Sequence, residues 1–242
     1  MLGILEKLRL HQFHIDLKIS LRQSAGKSVI IKGMTLTQLQ RDIIVGLLLG
    51  DGSLEFDGFK ASRLQIKQAL AKKEYVLWLY EQLAPLVRTP PKQRPDTLQW
   101  YFSTRSLREL EDIRHLFYIE GIKIVPSNIE QILTSPITLA VWFMDDGSLD
   151  YREKYHYSFT LSTDSFTVSD VSRLQYILKD RFGIDSTIQT PSCRGKRYTK
   201  LYIGKSGRET FLKTVSPYIV SCFAYKIPPT YSLTPQRLIS MK

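Results

Sequence analysis

From Thr35 onward, segments with helical apolar spacing alternate with short runs that change polarity at every second residue. Thr37 precedes QLQRDIIVGLLLG, a run to Gly50 whose end is apolar on every face. That pattern predicts a capped helix buried all round. Strand-like runs follow at about 53–59 and 62–68, and Arg63 to Gln68 alternates cleanly. Tyr75, Leu79 and Leu83 mark one face of a helix over 72–86. Strands are predicted at 92–95 and 97–103, then a helix over 106–120 that ends at Gly121. The same order then recurs. Ser135 and Pro136 suit the start of a second buried helix through ITLAVWFMD. Strands near 148–152 and 156–163, a helix over 167–182, strands at 185–191 and 197–203, and a helix over 206–216 complete it. The basic loop Cys193–Arg197 joins the last two strands. Each half reads αββαββα, so the expected class is α+β, built from two tandem repeats. The repeats span 35–125 and 126–242, and residues 1–34 stay unassigned. Their SAGKS run lacks the first glycine of a P-loop. Glu6 and Asp16 argue against an organelle transit segment there.

Charge changes the picture more than composition does. The 242 residues carry 34 Lys and Arg against 23 Asp and Glu, a net charge of +11, spread evenly over both halves. Two similar basic halves point to one shared polyanion, with plain solubility as the bland alternative. Cys193 and Cys222 match neither a zinc spacing nor a disulfide framework, which fits a reducing compartment. There is no membrane-length apolar run and no export signal. The expected location is intracellular, in a bacterial cytoplasm, chloroplast or mitochondrion.

The two buried helices end alike. LGDGSLEF and MDDGSLDY each place an aspartate and a glycine after an apolar run, with Asp51 and Asp146 lying 95 residues apart. A carboxylate at a helix C-terminus meets partly negative carbonyls, so it calls for a cation. Asp oxygens and terminal carbonyls are hard ligands suited to Mg²⁺. If the helices pair, both carboxylates meet at one end, the arrangement of metal-assisted phosphodiester hydrolysis. One Asp-Gly alone would read as a turn; the repetition favours a paired site. Alignment of the copies matches Asp146 to Asp51 and Asp145 to Gly50. Asp145 would therefore offer its carbonyl, as Gly50 does, and the role of its side chain is open.

These phrases resemble the LAGLIDADG homing endonucleases in their single-chain, two-motif form. The motif copies are Ile44–Gly52 and Leu139–Gly147, and the resemblance covers about 35–230. It implies motif helices at the interface between the halves and a saddle of antiparallel sheet from each half laid into the DNA major groove. It implies catalytic divalent ions, Mg²⁺ with Mn²⁺ as a substitute, on Asp51, Asp146 and the carbonyls of Gly50 and Asp145. Val141 stands where the family often has glycine, and Asp145 where it often has a small residue. The resemblance extends to Lys123 in GIKIVP and Lys226 in YKIPP, implied to lie near the scissile phosphates; on spacing alone both read as surface lysines. It also implies a monomer acting on a long asymmetric duplex target, short 3′ overhangs and intron mobility.

Outward positions of the predicted sheets are polar and basic, as DNA contact requires. The first half offers Lys60, Arg63, Gln65, Lys67, Gln68, Lys92, Arg94, Gln99, Tyr101 and Arg105, with Gln68 also a candidate for the active site. The second offers Arg152, Lys154, Tyr157, Gln189, Arg194, Lys196, Arg197, Tyr198 and Lys200. Tyr75, Trp78, Tyr80, Trp142 and Phe143 read as core. Two other functions compete: a maturase that binds intron RNA, and a DNA-binding regulator without catalysis.

Overall fold

The computed structural model describes residues 36–153, 156–193 and 195–231. Helix α1 (Gln38–Leu49) starts at a capping box: Gln40 N–H donates to Thr37 Oγ1, and Thr37 N–H donates to Gln40 Oε1. It leads into the antiparallel hairpin β1 (Ser53–Phe56) and β2 (Ser62–Gln68). Helix α2 (Lys73–Leu83), strands β3 (Lys92–Gln93) and β4 (Trp100–Ser103), and helix α3 (Arg108–Phe117) follow. Strands β5 (Tyr118–Ile119) and β6 (Ile122–Lys123) and the short α4 (Ile129–Ile132) link the halves. The second half holds α5 (Pro136–Asp146), β7 (Gly147–Arg152), β8 (His156–Ser162) and α6 (Val168–Phe182). It ends with β9 (Thr187–Gln189), the hairpin β10 (Ser192–Cys193) and β11 (Lys196–Arg197), β12 (Lys200–Ile203) and α7 (Arg208–Val215).

The two main sheets share one topology. Their strand orders are β1-β2-β4-β3 and β7-β8-β12-β9, both antiparallel. Each sheet lays one face on helices. Leu54, Leu64, Ile66 and Phe102 line that face in the first, and Phe159, Leu161, Leu201 and Ile203 in the second, all buried. One apolar cluster spans both halves.

Helices α1 and α5 join the halves through close backbone contact. A Cβ on Gly46 would stand 2.6 Å from the Thr138 carbonyl and 2.7 Å from Val141 Cβ. A Cβ on Gly50 would stand 2.5 Å from Asp145 Cβ. Val141 and Asp145, the bulky departures in the second motif, therefore each face a glycine of the first. Thr138 Oγ1 donates across the interface to the Asp42 carbonyl at 2.9 Å.

Several elements differ from their sequence-based bounds. Strand β1 stops at Phe56 because Asp57 Oδ1 accepts from the amides of Phe59, Lys60 and Ala61, closing a turn. The helix expected over 72–86 is α-helical to Leu83, and Ala84–Leu86 tighten into a 3₁₀ turn around Pro85. Strand pairing keeps only Lys92–Gln93 of 92–95 and Thr187–Gln189 of 185–191. Helix α3 ends at Phe117 rather than at Gly121. Glu120 and Gly121, with φ of 50° and 79°, form the two-residue loop of the β5–β6 hairpin.

Candidate functional site

Asp51 follows α1 and Asp146 ends α5, so the pairing of these helices brings both carboxylates to one end of the interface. Gly52 and Gly147 fit because any Cβ there would strike the last helical turn, at Leu47 and Phe143 respectively. Asp51 is exposed. Its backbone amide donates to Asp145 Oδ2 at 3.2 Å, and Gln68 Nε2 donates to its Oδ2 at 3.2 Å. The Asp145 side chain thus has a place that its sequence left open: it packs on Gly50 and holds the backbone of Asp51 in the other half. Tyr75 Oη lies against the Asp145 carboxyl, and Tyr75 Oη and Asp145 Oδ1 are both buried.

The lysines come to equivalent places. Lys123 Nζ donates to the carbonyls of Gly50 (2.8 Å) and Gly52 (2.9 Å) at the end of α1. Lys226 Nζ donates to the carbonyls of Phe143 (3.1 Å), Met144 (2.6 Å) and Asp145 (3.5 Å) at the end of α5. Each ammonium answers one helix's negative end. The hairpin β5–β6 delivers Lys123, and a 3₁₀ segment, Ser221–Lys226, delivers Lys226.

Two lysines do not neutralise the site. Burial, and next the charge of Asp51, push the Asp146 carboxyl up to about 6. Burial, and next Asp51, push Asp145 well above the carboxylate range. Burial lowers Lys123. Burial, and next the positive charge of Lys72, bring Lys226 down to about 8. Two mutually repelling carboxylates and the helix-end carbonyls form a hard-oxygen donor set. The residues therefore fit a divalent cation. Gly50 and Asp145 each keep a carbonyl lone pair beyond the one its lysine uses.

The candidate DNA contacts sort by strand parity, since residues opposite one another in a ladder share a face. On the first sheet Glu55 pairs with Arg63, Gln65 with Ser103, and Lys67 and Lys92 with Tyr101, all on the face away from the core. Arg94 stacks over Tyr101 at 5.6 Å, and Lys60 lies over the exposed Phe59 ring at 4.8 Å. Arg105 shares a basic cleft with Arg63, Lys92 and Arg88, a residue absent from the sequence-based set. Gln99 sits beyond β3 and β4, its carbonyl accepting from Arg94 N–H. On the second sheet Lys200 pairs with Ser162 and Gln189 on that polar face, and Arg152 with His156. Arg197 lies exposed on the β10–β11 hairpin, and Tyr198 N–H donates to the Pro191 carbonyl just beyond it.

Two expectations need correction. Gln68 has the parity of Leu64 and Ile66, so it leaves the polar set and, in keeping with its other reading as an active-site candidate, donates to Asp51. Tyr157 has the parity of Phe159; it packs edge-on against that ring and its hydroxyl bonds Glu209. Lys154 and Arg194 lie outside the described residues, as does the side chain of Lys196. Lys72, which crowds Lys226, carries no sequence signal. Glu55 does: the 95-residue offset aligns it with Asp150, one acid on each polar face.

Two tandem αββαββα units with carboxylates paired at the ends of their joining helices define a two-motif nuclease architecture. The sequence profile of the LAGLIDADG DNA endonuclease family matches residues 41–211, and the chain belongs to that family. It is 30% identical to the DNA endonuclease I-ChuI of Chlamydomonas applanata over 80% of this chain and 96% of that protein. Against the cytochrome b mRNA maturase bI2 of Saccharomyces cerevisiae it is also 30% identical, over 76% of this chain and 46% of the maturase. The fold matches the homing endonuclease I-WcaI bound to its DNA recognition sequence, with TM-score 0.70 and 25% identity over 83% of this chain and 92% of that one. The chain thus carries both copies of that family's motif helix, α1 and α5, in one polypeptide. Among the described residues no helix is long and apolar enough to cross a membrane.

Proposed function

We propose that the chain cuts both strands of one long, asymmetric DNA target by divalent-metal-assisted hydrolysis, acts as a monomer, and thereby promotes intron mobility. The observation that supports this reading is the packing of α1 on α5, which brings the ends of the two motifs together, so that the Asp51 amide donates to the Asp145 carboxyl at 3.2 Å, next to Asp146. One chain supplies both, through units we assign to 35–125 and 126–242.

Asp51 and Asp146 would hold the cation, Mg²⁺ or in its place Mn²⁺, with the carbonyls of Gly50 and Asp145 nearby. When bound, it lowers the pKa of a water and offsets charge on the phosphodiester. Lys123 and Lys226 supply fixed ammoniums where charge develops in the transition state. Gln68 and the Asp145 carboxyl hold Asp51 in place. The polar faces of the two sheets enter adjacent major grooves, where Arg, Lys and Gln side chains meet base edges and phosphates. Incubation with a library of duplex targets and Mg²⁺ tests this: cleavage of a narrow subset on both strands is expected, and no cleavage of any duplex would sink it.

Metal removal has a pH signature. The folded-state pKa of Asp146 is raised, so metal-free protein loses stability as pH rises through about 6. A cation reverses that loss. Mg²⁺ at about a hundred times its Kd should raise Tm by about 5 to 10 °C at pH 8. A much smaller shift is expected at pH 5, and calorimetry with and without chelator reads both.

Likeness to the bI2 maturase favours one second reading, an RNA-binding role in intron splicing alongside cleavage. Binding to the host intron's RNA with accelerated splicing, undiminished by Asp51→Asn, would establish it. A Tyr157→Phe variant checks the sheet assignment in either case, because a hydroxyl turned to Glu209, away from the polar sheet face, should leave the target profile unchanged.

A further inference from the structure

The polar face of the first sheet is not uniformly basic. Glu55 stands on it, directly opposite Arg63. An acid there opposes a polyanion, so it weakens binding unless it does something else. Its Oε2 accepts from Arg63 Nε at 2.7 Å, lies 2.6 Å from Arg63 Nη2, and also accepts from Gln65 Nε2. Three donors from two side chains converge on one oxygen. They hold the Glu55 carboxyl below its ordinary range, Arg63 most and Gln65 next. Arg63 and Gln65 are long side chains on a solvent-facing strand, which otherwise sample many rotamers. Glu55 fixes both while leaving two groups unused: Arg63 Nη1 and Gln65 Oε1. The matching acid of the second sheet, Asp150, makes a looser contact with Arg152 at 3.4 Å.

We infer that Glu55 is a specificity-determining positioning residue. It orients Arg63 and Gln65 toward base edges and keeps Arg63 off the phosphates. The inference rests on the proposed function, in that this sheet face must meet duplex DNA. Arg63 then donates to guanine O6 and N7 through Nη1 and the second N–H of Nη2, and Gln65 Oε1 accepts from the amino group of adenine or cytosine. Without Glu55, Arg63 is free to reach the nearest phosphate. Discrimination falls and non-cognate affinity rises, so the two readouts move in opposite directions.

The test is a binding-selection profile on randomised duplex for the full chain and its Glu55→Gln and Glu55→Ala variants, in Ca²⁺ so that binding is read without cleavage. Preference at a few adjacent positions of one half-site should fall about tenfold, the scale of one base contact. Non-cognate binding should tighten, with a salt slope steeper by about one. In an Arg63→Ala, Gln65→Ala background, Glu55→Gln should change the profile no further. An unchanged profile in both variants overturns the inference. So does a loss confined to cytosine that persists in that background, because Glu55 would then read the base itself. A flat wild-type profile also overturns it. A sharp profile without cleavage in Mg²⁺ overturns only the endonuclease reading.

Discussion

Asp51→Asn and Asp146→Asn should each slow cleavage of both strands by at least about a thousandfold, more than about 4 kcal/mol of transition-state stabilisation, while target binding survives. The carboxylates converge, so each is expected to serve a site shared between strands. Asparagine keeps the shape and one oxygen but gives up the charge that holds a cation. Removing negative charge beside DNA should leave affinity equal or higher. Gel-shift binding and single-turnover cleavage on supercoiled and nicked plasmid separate the effects. Full cleavage by either variant, or loss of only one strand's cut, would break the shared-site account. The two halves of the shared site are not mirror images, however. Asp145 has glycine as its counterpart, and Lys72 crowds Lys226. Lys123→Met and Lys226→Met are therefore expected to differ in which strand slows more, read from the nicked intermediate.

Gly46→Val should cost about 3 kcal/mol of stability and abolish activity through the fold. Its Cβ would meet the Thr138 carbonyl at 2.6 Å and Val141 Cβ at 2.7 Å. The helices can separate only by loosening Thr138–Asp42 and the Gly50–Asp145 contact, which also carries Asp51. A fall in Tm of about 6 to 12 °C is expected by calorimetry. Adding Val141→Gly should recover less than half, because the Thr138 carbonyl is backbone and stays. Full recovery by that exchange would show that side-chain bulk alone sets helix approach.

What the sequence revealed depended on whether neighbours along the chain decide it. Strand β2 occupies 62–68, as alternation predicts, because a half-buried strand writes its two faces into successive residues. Helices α1 and α5 begin at Thr37 and Ser135 as read, since a capping box and an N1 proline are local chemistry. The repeated Asp-Gly endings exposed the paired carboxylates because two copies of one phrase rarely arise by chance. Other features were closed to that reading. Gly121 looked like a helix stop, yet it turns a hairpin, because helix C-termini and type I′ loops demand the same positive φ.

The sequence by itself determined the two-repeat order, the motif helices and the acids at their ends, all of which follow from local periodicity and repetition. Only the tertiary structure decided what those acids meet. It placed Lys123 and Lys226 on the carbonyls of the two motif helices, turned Gln68 to Asp51 and Tyr157 to Glu209 and Phe159, and set the Asp145 carboxyl across the interface. It also gathered Arg63 and Gln65 onto Glu55. Each of these contacts joins separate elements. Which side chains meet across a helix crossing or a strand ladder depends on packing and register, and no single segment of sequence carries that information.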